Sequence, residues 1–375
     1  MAVQIGAFTL AAPVVLAPMA GVTNAPFRTM CRQFAPGLVY VNEMVMATAV
    51  VHGNAKTERM MTFTADEMPR SLQVYGSDPV VLAEAVRKMC AAGRVDHIDI
   101  NFGCPAQKVT RKGGGAAVPA KPNLLRAIVR GAVTAAQPYN VPVTIKFRKG
   151  LFDSLLTYIA TGRIAAEEGV AAIALHARTA EQHYAGSADW NAIGELKAAV
   201  PEIPVLGNGD IWEASDAVRM MNETGCDGVV IGRGCLGRPW LFRDLVEALN
   251  GRPVPASPTL GEACVVMADH ARLLVAHLGE NLAMRDFRKH TSWYLTGYPV
   301  GGEVRKRFSG VSTFSELEDL IAALDSSMRI VEGGERIRRG HTNGPIRVAL
   351  PAGYLDHLDD LVVPDDSDVM ALSGG

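Results

Sequence analysis

The chain has 375 residues, of which 48% are hydrophobic, and its 37 basic residues nearly balance 39 acidic ones. This length and composition predict one large domain with a full core plus a smaller one. The net charge of -2 excludes a general attraction to nucleic acid. No apolar run approaches the roughly 18 residues of a membrane span, and the N-terminus lacks a signal-peptide pattern. We therefore expect a soluble, cytoplasmic protein.

Eight short apolar runs rich in Val and Ile alternate with helical stretches. The runs cover 14–19, 38–44, 70–76, 97–102, 141–147, 171–177, 203–211 and 227–233. Between them, 77–93 and 212–225 have the end signals of helices. Strands that are apolar throughout and alternate with helices indicate a buried parallel sheet. Eight such units predict a (β/α)8 TIM barrel over residues 1–250. An open doubly wound sheet is the alternative, but no G-x-G-x-x-G follows the first run.

The character of the sequence changes after residue 250. Residues 251–258 are rich in Pro and predict a linker, and 259–333 have a helical pattern without another strand. We expect a small all-helical domain there. Residues 340–375 contain an acidic stretch with Pro and predict a partly disordered tail.

Six cysteines are scattered along the chain, and none forms a C-x-x-C pair. This spacing disfavours a zinc site and a disulfide framework, so we expect no metal. The default interpretation is a set of reduced, mostly buried thiols. A functional cysteine has to be found from its position.

Almost every predicted strand ends in polar residues or glycine, where TIM-barrel active sites lie. In chain order these residues are Pro18, Met19, Ala20, Asn42, Glu43, Gln73, Asn101, Cys104, Lys146, Arg148, His176, Arg178, Asn208, Gly209, Asp210, Gly232 and Arg233. Each one alone has a structural explanation, such as a surface ion pair or a hydrogen-bonded core histidine. A full ring of them favours an active site.

Two loops and two side chains point to specific chemistry. "GNGD" (207–210) and "IGRG" (231–234) follow the last two strands, where barrels often bind phosphate, although glycines alone also fit tight turns. Lys146 suits an anionic ring such as a reduced flavin. Cys104, held extended by the following proline, carries a thiol that can donate a proton; buried packing is its alternative role.

Several segments resemble the tRNA-dihydrouridine synthases, and the bacterial B-type branch is the most similar. The segments are "LAPMAGVTNAPFR" (16–28), "QVYGSDP" (73–79), "IDINFGCPAQKVTRKGGGAA" (98–117), "VTIKFRKG" (143–150), "LHARTAEQHYAGSADW" (175–190), "VLGNGDI" (205–211) and "DGVVIGRGCLGRPWLF" (227–242). The resemblance covers about residues 3–330, and "NFGCP" with "HARTAEQHYAGSADW" is its most specific part.

The resemblance implies an FMN-binding barrel with a C-terminal helical domain that grips tRNA. NADPH would reduce the flavin, a hydride would pass to C6 of a D-loop uridine, and Cys104 would protonate C5. The implied cofactor contacts are Pro18, Met19, Ala20, Gln73, Lys146, His176, Asn208, Gly209, Asp210, Gly232 and Arg233. The implied contacts to the base are Asn101 and Arg178.

Basic residues are candidates for the RNA backbone, because a neutral protein needs local positive charge to hold tRNA. Lys108, Arg111 and Lys112 follow Cys104, and Arg288 and Lys289 lie in the helical region. A solvated helix face is the alternative for the second group. We expect Gly113–Gly115 to be a hinge that closes the loop over a flipped uridine.

Three departures from the family pattern are Ala116 after Gly115, Ala177 between His176 and Arg178, and the tail after 340. Two other functions stay open. The first is an FMN barrel oxidoreductase that acts on a free pyrimidine or a similar metabolite. The second is a non-catalytic tRNA-binding relative, which the presence of Cys104 and Lys146 disfavours. No obligate protein partner is evident.

Overall fold

Eight parallel strands close into a barrel in the computed structural model, which describes residues 3–363. The described residues form thirteen strands in all, of which β1 with β2 and β9 with β10 form two separate hairpins. The strands are β1 Gln4–Ile5, β2 Phe8–Thr9, β3 Val14–Leu16, β4 Val39–Tyr40, β5 Val45–Met46, β6 Ser71–Tyr75, β7 His97–Phe102, β8 Val143–Arg148, β9 Gly150–Phe152, β10 Leu155–Leu156, β11 Ala172–His176, β12 Val205–Asn208 and β13 Gly228–Ile231. Within the barrel sheet the order is β4-β3-β13-β12-β11-β8-β7-β6-β5.

The two ends of this sheet are pieces of one strand. β4 and β5 both come from the predicted run 38–44 and its continuation, and Val41 pairs with Ser71 between them. The Asn42 N–H also donates to the Ser71 carbonyl oxygen at 2.9 Å. These bonds close the barrel, and they confirm the predicted (β/α)8 TIM barrel.

Helices alternate with the strands and then continue alone after residue 259. They are α1 Ala25–Phe34, α2 Ala47–Val51, α3 Ala55–Met60, α4 Pro79–Ala91, α5 Gln107–Thr110, α6 Pro122–Ala136, α7 Tyr158–Glu167, α8 Asn191–Ala199, α9 Ala214–Thr224, α10 Leu241–Leu249, α11 Leu260–Leu278, α12 Glu280–Leu295, α13 Gly302–Gly310 and α14 Phe314–Ala322. The predicted helix 77–93 corresponds to α4, and its N-cap Asp78 accepts bonds from two backbone N–H groups.

A short N-terminal hairpin fills the amino end of the barrel. β1 and β2 pair antiparallel, and Val3, Ile5 and Leu10 pack against inward-facing side chains of the barrel strands such as Val15 and Ala174. The sequence analysis did not predict this hairpin, because strands of two residues are too short to show a period. The hairpin supplies the apolar bottom of the barrel interior.

The helical segment (residues 260–322) has its own core, which continues into the barrel. Trp240 of the barrel belongs to that core, and Phe34 of α1 packs against it. α11 begins at a capping box between Thr259 and Glu262. Residues 251–258, predicted as a linker, form no helix or strand.

The C-terminal segment (residues 337–363), most of which belongs to the tail predicted to be partly disordered, packs along the rim of the barrel. Tyr354 is buried in an apolar cluster with Ala116 and Leu151, and the Ile346 N–H donates to the Glu181 carbonyl oxygen at 2.8 Å. Apolar anchors therefore outweigh the acidic composition here. Residues 364–375 of the predicted tail lie outside the described residues.

Two histidines in the helical segment make stability depend on pH. His270 and His290 are fully buried with ring centroids 4.6 Å apart, and burial lowers the pKa of His270 to about 3 and that of His290 well below its usual value. Both stay neutral in the folded protein but take up protons below about pH 6.5 in the unfolded chain. The free energy of unfolding should therefore fall by about 1 kcal/mol per histidine on going from pH 7.5 to 5.5.

Urea denaturation of His290→Phe at both pH values tests this expectation. The variant should lose less stability than the wild type on acidification, while a variant of the exposed His357 should lose as much as the wild type. Equal losses for all three proteins would contradict it.

Candidate functional site

The main cavity opens at the carboxyl ends of the barrel strands and encloses about 590 Å³, counting its open mouth. Its lining residues are Ala17, Pro18, Met19, Lys146, His176, Tyr184, Asn208, Gly209, Asp210, Ile211, Trp212, Val230, Gly232, Arg233 and Gly234. Nine of the eleven predicted cofactor residues are among them; Ala20 and Gln73 are not. A cavity of this size is typical of small-molecule sites.

The loop after β3 carries Pro18, Met19 and Ala20 to the cavity rim. Two hydrogen bonds hold this loop at Gly21. The Gly21 N–H donates to Glu43 Oε2 at 2.7 Å, and Lys289 Nζ donates to the Gly21 carbonyl oxygen at 2.7 Å. Ala20 itself is exposed. Lys289, predicted to meet RNA, instead joins the helical segment to this loop and also pairs with Asp286.

Glycines let the backbone approach closely at one end of the cavity. A Cβ on Gly209 would lie 2.6 Å from that of Ala188, and one on Gly234 would lie 2.1 Å from the Ile211 carbonyl oxygen. Between them, Asp210 has a left-handed backbone with φ of 56°. The sequence analysis placed phosphate-binding loops here on the basis of these glycines.

Arg178 lies behind this loop rather than at the cavity mouth. Its side chain is fully buried, and Nη2 donates to both Asp210 carboxylate oxygens at 2.8 Å. Nη1 is buried and has no hydrogen-bond partner among the described residues. Asp210 on the neighbouring loop thus binds the guanidinium, and the contact of Arg178 with the substrate base stays a prediction.

Arg233 lines the same end of the cavity. Its guanidinium carbon lies 4.4 Å from the Tyr184 ring centroid and 5.4 Å from that of Trp212, and Nη1 donates to the His341 carbonyl oxygen at 2.6 Å. Burial lowers its pKa to about 10, so it is a cation at neutral pH. The sequence analysis missed the two aromatic residues, although both stand in or beside segments that it singled out.

Lys146 on β8 and His176 on β11 line the cavity next to these loops, and a Cβ on Gly209 would lie 3.5 Å from His176 Cδ2. Lys146 forms no hydrogen bond or ion pair with any of residues 3–363, and burial, helped by Arg148, lowers its pKa to about 8. Burial and four surrounding cations hold the pKa of His176 well below its usual value. At neutral pH this part of the cavity therefore presents the Lys146 ammonium, which forms no hydrogen bond or ion pair with the described residues, and the neutral His176 imidazole.

Cys104 is positioned by Asn101 on the loop after β7. Asn101 Oδ1 accepts from the Gly103 N–H at 3.0 Å and from the Cys104 N–H at 2.8 Å, and its Nδ2 donates to Gln73 Oε1 at 2.7 Å. The Asn101 amide is thus engaged within the protein, whereas the sequence analysis expected it to contact the base.

The Cys104 thiol is protonated at neutral pH. Burial raises its pKa, and this effect outweighs the nearby cations Arg148, Lys108 and Lys146, which lower it. Arg148 also donates to the Gly103 carbonyl oxygen at 3.0 Å. Arg148 therefore holds the loop in place in addition to lowering the pKa of Cys104. Arg148 was noted at a strand end, but the sequence analysis gave it no role.

Gln73 belongs to a buried chain of hydrogen bonds beneath Cys104. Gln73 Nε2 donates to Asp99 Oδ2 at 2.6 Å, Thr144 donates to Asp99 Oδ1 at 2.6 Å, and His97 links Thr144 to Ser71. Burial raises the pKa of Asp99 to about 6. The chain runs from the barrel interior to the loop that holds Cys104.

A second, smaller cavity lies on the other side of the Cys104 loop. Its lining residues are Met46, Ala47, Thr48, Tyr75, Gly76, Ser77, Asp78, Val81, Lys108, Val109, Lys112 and Gly114. Of the basic residues predicted to meet RNA, Lys108 and Lys112 line this cavity, and Arg111 is exposed beside it. Cys104 follows β7, which pairs with β8, the strand of Lys146 in the main cavity, and Lys108 of the second cavity lies four residues beyond Cys104.

Arg288 is engaged within the helical segment. Its Nε donates to the Val311 carbonyl oxygen at 2.8 Å and its Nη2 to Ser312 Oγ at 3.0 Å. These bonds join α12 to the end of α13. Arg288 thus has a structural role, and its role in RNA binding stays a prediction.

The glycine run after the basic residues is buried and tightly packed. A Cβ on Gly115, which has φ of 55°, would lie 2.7 Å from the Cys104 carbonyl oxygen. That same oxygen accepts from the Ala116 N–H at 3.1 Å. The Gly113–Gly115 hinge stays a prediction; the described contact is a close approach beneath Cys104.

Two further findings concern residues 3–363 as a whole. They contain no group of three or more His, Cys, Asp or Glu side chains arranged to hold a metal ion. None of the helices in this range is long and apolar enough to cross a membrane.

Comparisons with known proteins agree with the resemblance stated above. Residues 15–328 match the family model of dihydrouridine synthases. A probable tRNA-dihydrouridine synthase from Mycobacterium tuberculosis is 52% identical over 380 residues, which cover 100% of this chain and 97% of that protein. The tRNA-dihydrouridine synthase B of Pseudomonas putida is 39% identical over 311 residues, covering 83% of this chain and 90% of that protein.

Solved structures are similar in fold. Histamine dehydrogenase from Rhizobium sp. 4-9 superposes with a TM-score of 0.51 at 11% identity, covering 87% of this chain and 64% of that one. The family model, by contrast, matches most of the sequence and includes every barrel strand from β4 to β13. The chain belongs to the dihydrouridine synthase family.

Proposed function

We propose that this protein reduces a specific D-loop uridine of tRNA to 5,6-dihydrouridine, with FMN as its bound cofactor and NADPH as reductant. The observation that carries the proposal is the cavity at the carboxyl ends of the strands, lined by nine of the predicted cofactor residues, with the protonated Cys104 thiol on the loop after β7, next to the strand that carries Lys146. The relatives described above are tRNA-dihydrouridine synthases, which supports tRNA as the substrate.

The lining of the main cavity has residues that suit the phosphate of FMN and residues that suit its ring. Arg233, the glycines at 209 and 234, and the unpartnered buried Nη1 of Arg178 suit a phosphate. Lys146, His176 and Asn208 suit the polar edge of the isoalloxazine, while Pro18 and Met19 offer apolar surface. When bound, FMN supplies the hydride for C6 of the base.

The residues of the chain supply the proton and hold the reacting groups. Cys104 carries its proton at neutral pH and gives it to C5, and Arg148 and Lys146 then stabilise the thiolate that remains. Asn101 keeps the loop in place through its two backbone bonds. Because a uracil in folded tRNA is stacked, the base has to be extruded before it can reach this site.

The second cavity supports a contact with the RNA backbone. Lys108 and Lys112 line it within four residues of each other and close to Cys104. Replacing both by Ala should raise the apparent KM for tRNA about tenfold and lower its salt dependence, because each phosphate contact releases counterions. Steady-state kinetics at several salt concentrations measure this. Arg87→Ala, which breaks only an exposed ion pair on α4, is the control, and an unchanged KM would contradict the contact.

The function itself is tested with purified protein. The yellow cofactor is released and identified, and the enzyme is then supplied with NADPH and unmodified tRNA, after which dihydrouridine is mapped by position. Formation at one D-loop uridine is the expected result. The alternative, an FMN barrel oxidoreductase for a free metabolite, predicts that free uracil or dihydroorotate exchanges electrons with the flavin while tRNA does not.

A further inference from the structure

We infer that the C-terminal segment positions the Cys104 loop, with Tyr354 as the positioning residue. The inference rests on the proposed role of Cys104 but adds a component that lies beyond residue 328, where the match to the family model ends. The segment meets the loops that follow four barrel strands, β13, β11, β8 and β7, and Arg336 just before it meets the start of α9, after β12.

The segment and the turn before it first contact the part of the main cavity that contains Arg233, where the proposed function places the FMN phosphate. Arg336, one residue before the segment, pairs with Glu213 and Asp216 at the start of α9, after β12. The His341 carbonyl oxygen accepts from Arg233 after β13 at 2.6 Å, and the Asn343 carbonyl oxygen accepts from the N–H of Tyr184 after β11 at 3.2 Å. Backbone groups of the segment thus hold two cavity-lining residues.

The middle of the segment continues along the rim. The Ile346 N–H donates to the Glu181 carbonyl oxygen, and Val348 and Leu350 pack into the apolar cluster that contains Leu151 of the β9–β10 hairpin. This hairpin follows β8. Neighbouring loops that each carry a site residue are therefore joined by one continuous stretch of chain.

Tyr354 makes the decisive contact. It is 4% exposed, its hydroxyl donates to the Gly113 carbonyl oxygen at 3.2 Å, and its ring packs on Ala116 and Ala117. Ala116 in turn donates to the Cys104 carbonyl oxygen, and Gly115 packs directly against Cys104. Tyr354 therefore reaches Cys104 through two adjacent backbone contacts.

The end of the segment is anchored below this point. The Lys121 ammonium lies 4.7 Å from the Tyr354 ring centroid and forms an ion pair with Asp360, and Asn123 Nδ2 donates to the Asp359 carbonyl oxygen at 2.7 Å. Lys121 is 4% exposed, so its side chain has been ordered and largely withdrawn from water for these contacts. The anchor keeps Tyr354 pressed against the 113–120 stretch.

The test compares Tyr354→Phe, Tyr354→Ala and the control Leu361→Ala, which alters an exposed side chain of the same segment. Three quantities are measured on the holoenzyme: amide hydrogen exchange over 104–117, the rate of Cys104 alkylation by iodoacetamide, and turnover with tRNA. Tyr354→Phe keeps the ring and removes only the hydroxyl bond, so it should fold normally.

Exchange over 113–117 should rise several-fold in Tyr354→Phe and at least tenfold in Tyr354→Ala, while the control matches the wild type. Cys104 alkylation should change in parallel, and kcat should fall without a change in flavin content or in KM for tRNA. Wild-type exchange and alkylation in Tyr354→Phe would overturn the inference. Exchange and alkylation need no RNA, so they decide the matter even if the wild type forms no dihydrouridine.

Discussion

Replacing Cys104 by Ala should lower the reduction of tRNA by about 10²- to 10⁴-fold, the range that a positioned general acid contributes. Burial keeps the pKa of this thiol above its usual value, so the group that is lost is a proton donor rather than a nucleophile. Single-turnover mixing of reduced enzyme with tRNA measures the effect on the chemical step itself.

Flavin content should be unchanged in Cys104→Ala, because Cys104 is not part of the lining of the main cavity. Cys90→Ala, which removes another buried sulfur on α4, should keep wild-type turnover. Normal turnover in Cys104→Ala would eliminate the acid role, and loss of flavin would show that the loop serves the cofactor instead.

Replacing Lys146 by Met should weaken FMN binding about 10- to 100-fold. The variant keeps the length and the apolar stem of the side chain but removes the ammonium, and a hydrogen bond to a charged group contributes about 1.5–3 kcal/mol. The wild-type ammonium is attracted by the Asp99 carboxylate but forms no hydrogen bond with the described residues, so its N–H groups are available to a ligand. Titration of the apoprotein with FMN, followed by quenching of flavin fluorescence, gives the dissociation constant.

The same residue sets the pH dependence of FMN binding. With a pKa of about 8, Lys146 is a cation below that pH and becomes neutral above it. Affinity for FMN should therefore be constant from pH 6.5 to 7.5 and fall as the pH rises through 8, and Lys146→Met should lack this fall. Lys88→Met, on the outer helix α4, should behave like the wild type. The same pH profile in all three proteins would contradict the assignment.

Most of the barrel was predictable because its strands are short, buried runs with several apolar residues each, and helical stretches alternate with them. The second strand was less regular, since Asn42 turns its side chain to the Met60 carbonyl oxygen and the strand divides into β4 and β5 there. The C-terminal segment was unpredictable for a different reason. Its acidic residues are typical of disorder, yet Asp360 pairs with Lys121, which is 239 positions away in the chain.

The site was predictable as a set of positions but not as a set of contacts. Nine of the residues that the sequence analysis assigned to a cofactor stand at strand ends and line one cavity. The direction of a long side chain depends on partners from other loops, as Arg178 with Asp210 and Arg288 with Val311 demonstrate. Asn101 illustrates the same limit, because its partner Gln73 comes from the neighbouring strand.

The N-terminal hairpin has a consequence for the order of events in a catalytic cycle. Val3, Ile5 and Leu10 fill the amino end of the barrel, so in the described part of the chain the main cavity is entered from the carboxyl end. In the proposed reaction, a nicotinamide and a nucleobase would both have to reach the same flavin through this one entrance. The oxidised dinucleotide would then have to leave before the base arrives, and the two half-reactions would alternate.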